Sequence, residues 1–274
     1  MGVIQWMGRA TANVLGRESW LTRKLRPSYE MLLRVCSFGR GISWTINGVP
    51  FRVDPSCRHR LGVNYDEPVA QFLRERVKPG DLCFDVGANV GVYVLQFAYW
   101  AGPDGRVVAF EPNPAALYFL RKHIQLNGLD DRVEVVEAAV GAEPGETVFY
   151  VAGSSGMGRV GTPNKSLTQT EEIKVPFLTL DDYCFSKGLI PDWLFIDIEG
   201  FEIAALVGAS RLLEKHLDKV NIVVEMHPNV WDSSGTSREH AQSLLEQWGL
   251  RPVPLSGQQD PLADHGLVYL EPAQ

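Results

Sequence analysis

The stretch LCFDVGANVGVYVLQFA, residues 82–98, decides the fold. Leu82–Val86 has the length and apolarity of a short buried strand, interrupted by one acid, Asp85. Gly87 permits a sharp turn out of that strand and lets a ligand approach the backbone, while Gly91 lets the following helix, Gly91–Trp100, pack closely on it. Working outward, strands and helices alternate. Upstream lies a helix, Val69–Val77, ended by Lys78-Pro79-Gly80. Downstream come a strand (Val107–Phe110), a helix (Pro114–Leu126) stopped at Asn127-Gly128, and a strand (Val133–Val136). Val148–Val151 and Ile173–Phe177 are further strands around a glycine-rich loop, Gly153–Thr170. Leu194–Ile198 and Ile222–Met226 are the apolar, β-branched runs expected of central parallel strands, joined by a helix, Ala204–Leu217. The tail adds a helix near Ser237–Trp248 and strands near Pro252–Leu255 and Leu267–Leu270. This order predicts an α/β, doubly wound, mostly parallel sheet whose ligands bind beyond the carboxyl ends of its strands.

Composition narrows the class. The 274 residues are 45% hydrophobic, 10% aromatic and 22% charged, which excludes disorder throughout. No uncharged apolar run approaches the roughly 18 residues of a membrane-spanning helix. The net charge of −7 argues against a general nucleic-acid binder. The charge is uneven: residues 1–40 hold seven Arg/Lys and two acids, a head of +5 on a body of −12.

Residues 1–60 form an extension before the main domain, residues 61–274. Helical spacing over Pro27–Phe38 precedes a hairpin in which Ile42–Thr45 and Pro50–Val53 flank Asn47-Gly48, a pair suited to a type I′ turn. The leader MGVIQWMGRATANVLGR has no continuous apolar core for secretion and no acid before Glu18. It fits a solvated leader, an organellar presequence or a helix lying on an anionic membrane, so peripheral membrane contact is an expectation for this end. Cys36, Cys57, Cys83 and Cys184 form no CxxC pair and read as reduced thiols of a cytoplasmic protein.

The turn itself is D-x-G-x-x-x-G, not the G-x-G-x-x-G whose second glycine makes room for a pyrophosphate. An anionic phosphate disfavours Asp85; an ammonium or sulfonium group does not. Glu111 stands twenty residues after Gly91, directly after the strand Val107–Phe110, where a carboxylate accepts hydrogen bonds from both hydroxyls of a ribose. An adenosine ligand with a cationic amino-acid end satisfies both features, and S-adenosylmethionine is such a ligand. A nucleotide-dependent oxidoreductase is the disfavoured alternative.

The blocks CFDVGANVGVYVLQFA and VVAFEPNPAALYFLRKHIQLNG resemble the FkbM family of S-adenosylmethionine-dependent methyltransferases. TLDDY at Thr179–Tyr183, FIDIEGFEIAALVGA at Phe195–Ala209, VVEMHP at Val223–Pro228 and the lead-in Tyr65-Asp66-Glu67-Pro68 agree, so the likeness spans roughly residues 60–230. The resemblance implies a class I methyltransferase fold of seven strands, one of them antiparallel, and methylation of hydroxyl groups, often on sugars or polyketide-like products. It also implies that Asp85, Gly87, Ala88, Asn89 and Gly91 wrap the methionine part, that Glu111, with Pro112 and Asn113, binds the ribose, and that Glu137 and Ala138 neighbour the adenine. The acceptor is then a small molecule or glycan, and the alternative is a methyltransferase fold kept for binding or scaffolding without turnover.

Methyl transfer to oxygen requires the acceptor in line and its proton removed. Asp197 and Glu199 end one central strand, Glu202 follows at a helix start, and Glu225 and His227 end the next. His227 is the candidate general base because imidazole titrates near working pH. Asp197 orients the acceptor or contacts the methionine amine, and Glu199 suits either purpose. Glu202 also suits a plain helix N-terminus. A divalent metal on Asp197, Glu225 and His227 is a second, less favoured arrangement. His59, His123, His216, His240 and His265 stand apart from any motif and read as surface or core residues. In the glycine-rich loop, Arg159 and Lys165 suit an anionic or polyhydroxylated substrate. Trp193, Trp231 and Tyr183 suit sugar stacking or the core.

Overall fold

The computed structural model describes residues 19–152, 157–161 and 170–273. The leader, residues 1–18, and Lys165 lie outside the described residues. A helix, α1 (Trp20–Cys36), leads into a hairpin of β1 (Ile42–Ile46) and β2 (Val49–Val53). Asn47 and Gly48 hold φ of 46° and 83°, the two left-handed positions that a type I′ turn demands. The helix starts ahead of the expected Pro27 and runs through it, so the Arg23 carbonyl loses its i+4 donor.

The main domain follows with α2 (Glu67–Arg74), β3 (Leu82–Val86), α3 (Val92–Trp100), β4 (Arg106–Phe110), α4 (Pro114–Leu126) and β5 (Val133–Val136). Four strands are then inserted: β6 (Ala139–Val140), β7 (Gly145–Ala152), β8 (Met157–Val160) and β9 (Thr170–Leu178). The chain returns through α5 (Leu180–Lys187), β10 (Trp193–Ile196), α6 (Glu202–Val207), α7 (Ser210–His216) and β11 (Asn221–Met226). A 3-10 segment (Pro228–Ser234), α8 (Arg238–Gln247) and the hairpin β12 (Leu250–Pro254) to β13 (Gly266–Pro272) close it.

The main sheet runs β12-β13-β11-β10-β3-β4-β5. Its five central and edge strands from β11 to β5 are parallel, and β13 runs antiparallel to both β11 and β12. Order and direction match the seven-stranded doubly wound sheet expected, with β3 in the middle and its turn at the carboxyl edge. One face buries α3 and α4, the other α5 to α8. Residues 19–60 share the first of these cores, since Leu33, Ile42 and Ile46 pack into one cluster with Val94 and Phe97. Asn47 Nδ2 donates to Gln96 Oε1 at 2.8 Å, and buried His123 accepts from the Asp54 N–H at 3.0 Å, so polar bonds seal the same joint.

Two expectations change. The helix foreseen over Ala204–Leu217 breaks in two. The Gly208 carbonyl is taken by the Asp181 N–H at 2.8 Å, and the Asp181 carboxylate accepts from the N–H groups of Arg211 and Leu212 at 2.9 and 2.8 Å, which caps a fresh helix start. The glycine-rich connection also contains a strand: β8 pairs with β7, and β6-β9-β7-β8 form a second sheet. Gly158 is needed there because a Cβ would stand 2.2 Å from the Phe149 ring.

Candidate active site

The β3 turn is built as its glycines demand. Gly87 and Gly91 both hold φ of 90°. A Cβ on Gly87 would come 1.9 Å from the Asp197 carbonyl oxygen, so β3 and β10 can approach only with glycine there, and one on Gly91 would stand 2.7 Å from Leu120. The Gly87 and Ala88 N–H groups donate to the Phe110 carbonyl at 2.9 and 3.0 Å, holding the turn against β4. Glu111 reaches across from the end of β4. One of its oxygens accepts from the Asn89 N–H and the other from the Asn113 N–H, each at 2.7 Å. Asn113 in turn caps α4 through the Ala115 N–H at 3.0 Å.

Asp85 and Glu111 are both buried. Burial pushes the Asp85 carboxyl up to about 8, with the nearby Glu111 adding to it. Burial pushes Glu111 up to about 7 against the two backbone bonds that it accepts. Asp85 Oδ2 is buried without a hydrogen-bond partner. An acid held in that state favours a cationic group beside it.

The turn opens on a cavity of about 360 Å³ between the carboxyl ends of the main sheet and the second sheet. Gly87, Asn89, Glu111, Pro112 and Ala138 line one side. Glu137 does not join them: its carboxylate is exposed and binds the Arg121 guanidinium. A larger, shallow depression beside α4, floored by Tyr118 and Arg121, gathers no such set of acids.

The opposite side carries Asp197, Glu199, Glu225, His227 and His265. Strand β10 stops at Ile196, because Glu199 (φ 28°) and Gly200 (φ 98°) turn the chain, so strict alternation ends there. Burial, then the charge of Glu225 and a hydrogen bond with it, hold the Asp197 carboxyl well above the usual carboxylate range. Glu199 accepts from Arg159 of β8 at 3.1 Å. Glu202, fully buried at the start of α6, is the residue whose role the sequence understated. It accepts from the Gly200 N–H at 2.7 Å, from Trp231 Nε1 at 2.9 Å and from His227 Nδ1 at 2.5 Å. A carboxylate cannot donate, so Nδ1 carries the proton and Nε2, 4.0 Å from Glu225 Oε1, is left as the acceptor. Burial alone lowers the His227 pKa, but the Glu202 bond and the charges of Glu202, Glu225 and Glu199 raise it overall.

His265 is the residue that sequence reading missed. It comes from the loop before β13, brings Nε2 to 2.9 Å from Glu225 Oε1 and lies beside His227 with ring centroids 4.6 Å apart and the planes tilted by 43°. Glu225, His227 and His265 each offer a ligand atom within 4.8 Å of the others. The metal set read from sequence therefore shifts: Asp197 gives its carboxyl to Glu225, and His265 stands where Asp197 was expected. His123 remains a core residue, and Trp193, Trp231 and Tyr183 are buried, as their core reading has it.

A central sheet of this order, with a glycine turn between two buried acids, defines a class I methyltransferase. The methyltransferase FkbM domain matches residues 85–252, and the 31-O-demethyl-FK506 methyltransferase FkbM of Streptomyces tacrolimicus is 30% identical over 221 residues, 70% of this chain and 80% of that protein. The chain belongs to the FkbM methyltransferase family, which sets aside the oxidoreductase alternative. Among solved structures, a methyltransferase FkbM from Methylobacillus flagellatus aligns with a TM-score of 0.46 and 18% identity over 71% of this chain and 44% of that chain. A SAM dependent methyltransferase from Aquifex aeolicus aligns with a TM-score of 0.40 and 15% identity over 74% and 88%. The buried, orphaned Asp85 Oδ2 beside the glycine turn suits the cationic end of S-adenosylmethionine, the donor of this class. No helix among the described residues is long and apolar enough to cross a membrane.

Proposed function

We propose that this methyltransferase modifies a hydroxyl group of a sugar, glycan or glycosylated natural product, with His227 as the general base. One observation carries this reading: His227, held through Nδ1 by buried Glu202, lines the cavity that faces the β3 turn. The curated relative, named for an O-demethyl acceptor, is compatible with an oxygen nucleophile. When bound, S-adenosylmethionine supplies the electrophilic methyl. Gly87, Ala88, Asn89 and Gly91 would hold its amino-acid end beside Asp85, and Glu111 would accept from the ribose hydroxyls. The Asn89 and Asn113 N–H groups fix that carboxylate, with Pro112 beside it, and Ala138 would border the adenine. On the far side Asp197 orients the acceptor, while His227 takes its proton and Glu202 stabilises the imidazolium formed. Arg159, whose Nε is buried without a partner, offers a further donor to a polyhydroxylated acceptor.

The test is calorimetric titration with S-adenosylmethionine, followed by transfer of labelled methyl to a panel of glycosides, amines and carboxylates. Binding together with methylation of hydroxyl acceptors alone is the expected result. His227→Ala retains binding and lowers kcat by about 10²–10⁴-fold, whereas Glu111→Ala weakens binding. Transfer to amines only, or full activity in His227→Ala, overturns the assignment. Binding without turnover on any acceptor favours the scaffold alternative.

A second reading has its own observation, the convergence of Glu225, His227 and His265. A carboxylate with two imidazoles suits a divalent transition metal, and Glu202 on Nδ1 is the outer partner such a histidine uses. Chelation separates the two readings. Turnover unchanged after exhaustive chelation removes the metal, and loss restored by added Mn²⁺ or Zn²⁺ makes His227 a ligand instead of a base.

A further inference from the structure

Ten large apolar side chains are exposed among the described residues, and six of them, Trp20, Leu25, Met31, Leu32, Val35 and Phe38, fall between residues 20 and 38. Helical geometry gathers Trp20, Met31 and Val35 on one side of α1, with Leu25 and Leu32 at its edge, while Leu33 faces the core from the opposite side. Phe38, just past the helix, is 88% exposed and holds φ of 48°. A bulky residue in the left-handed region is sterically costly where glycine would serve, and among the described residues little packing repays the cost at this exposure.

The same layer is strongly basic. Residues 19–60 contain eight Arg/Lys and two acids. Both acids are spent internally, Asp54 between Arg34 and Lys122 and Glu30 on Arg58. Lys24 lies over the Trp20 ring at 5.0 Å, and Arg40 and Arg52 are exposed.

We infer that α1 and Phe38 seat the enzyme on an anionic lipid surface. An exposed apolar face with an interfacial tryptophan and a basic rim is the pattern of a helix lying in the headgroup plane. A second copy is the poorer occupant, because a two-fold contact would set this basic layer against itself. This inference stands apart from the acceptor assignment and from the metal reading.

Co-sedimentation of the full chain with vesicles tests it. The protein pellets with phosphatidylcholine vesicles containing phosphatidylglycerol, stays in the supernatant with pure phosphatidylcholine, and is released by high salt. Met31→Ser with Val35→Ser, and separately Lys24→Glu with Arg40→Glu, each weaken binding roughly tenfold or more without altering S-adenosylmethionine affinity. Phe38→Gly gives the sharper readout: it raises the melting temperature by relieving the left-handed strain, yet weakens vesicle binding. Failure to pellet with anionic vesicles overturns the inference, as does binding indifferent to the apolar variants. Light scattering that shows a dimer dissolved by Met31→Ser with Val35→Ser, with no vesicle binding, assigns the face to a second copy instead.

Discussion

At the scale of single residues, the pair that matters most is Glu202 and His227. The 2.5 Å bond from Nδ1 fixes the tautomer, and the raised pKa of His227 is the cost of having so many acids around it. A base must be neutral to accept a proton, so turnover falls as pH drops through that raised pKa. Glu202→Gln removes the charge and the strongest bond to the imidazolium while burial continues to lower the pKa. The acid limb of the kcat profile therefore moves to lower pH, and kcat itself falls about 10–100-fold as the ring loses its orienting partner. A pH–rate profile of the variant checks both. An unmoved acid limb shows that His227 is not the titrating base.

At the scale of elements, the turn between β3 and α3 joins chemistry to stability. Gly87 is squeezed between its own left-handed conformation and the Asp197 carbonyl, which a Cβ would meet at 1.9 Å. Backbone cannot yield as a side chain can, so Gly87→Ala must part β3 from β10. We expect a loss of about 3–5 kcal/mol from overpacking and the positive φ together, visible as a lowered urea midpoint or as insoluble protein. A melting temperature within a degree or two of wild type contradicts this close approach. Elements of this kind were legible in the sequence because apolar period, glycine and chain direction all pointed one way; β3, α4 and β5 start and stop at the expected residues. Reading failed where a distant partner decides. The break between α6 and α7 is imposed by Asp181, on a different helix, and β8 exists only by pairing with β7. The same holds in the site. Asp85, Gly87 and Glu111 sit beside the turn that betrays them, but His265 arrives from a hairpin loop with no motif, and Glu202 hid behind the ordinary preference of acids for helix starts.

At the scale of the whole molecule, the acids of the main domain set how the fold responds to pH. Asp85, Glu111 and Asp197 have folded pKa values raised above their unfolded ones, chiefly by burial. Each binds its proton more tightly when folded, so each contributes stability at low pH that is lost as pH rises from about 4 through the folded value. For Asp85 and Glu111 that loss completes near 8 and 7. His227, also raised, loses its contribution in the same direction. Asp54 works oppositely. Burial pushes its carboxyl up, but the bonds from Lys122 and Ser56 outweigh it and bring it to about 2, so its contribution is present above about 4 and lost on further acidification. The cofactor-free protein should thus be most stable near pH 4–5 and melt several degrees lower at pH 8. S-adenosylmethionine carries positive charge to the buried acids, so its binding favours their ionised forms. It should flatten the fall and release protons at pH 7, which calorimetry in buffers of different ionisation enthalpy reads directly. A melting temperature that climbs from pH 5 to 8 without cofactor would mean that Asp85 and Glu111 are ionised in the empty fold. The cation would then meet a site already charged, and the proton release would vanish with the slope.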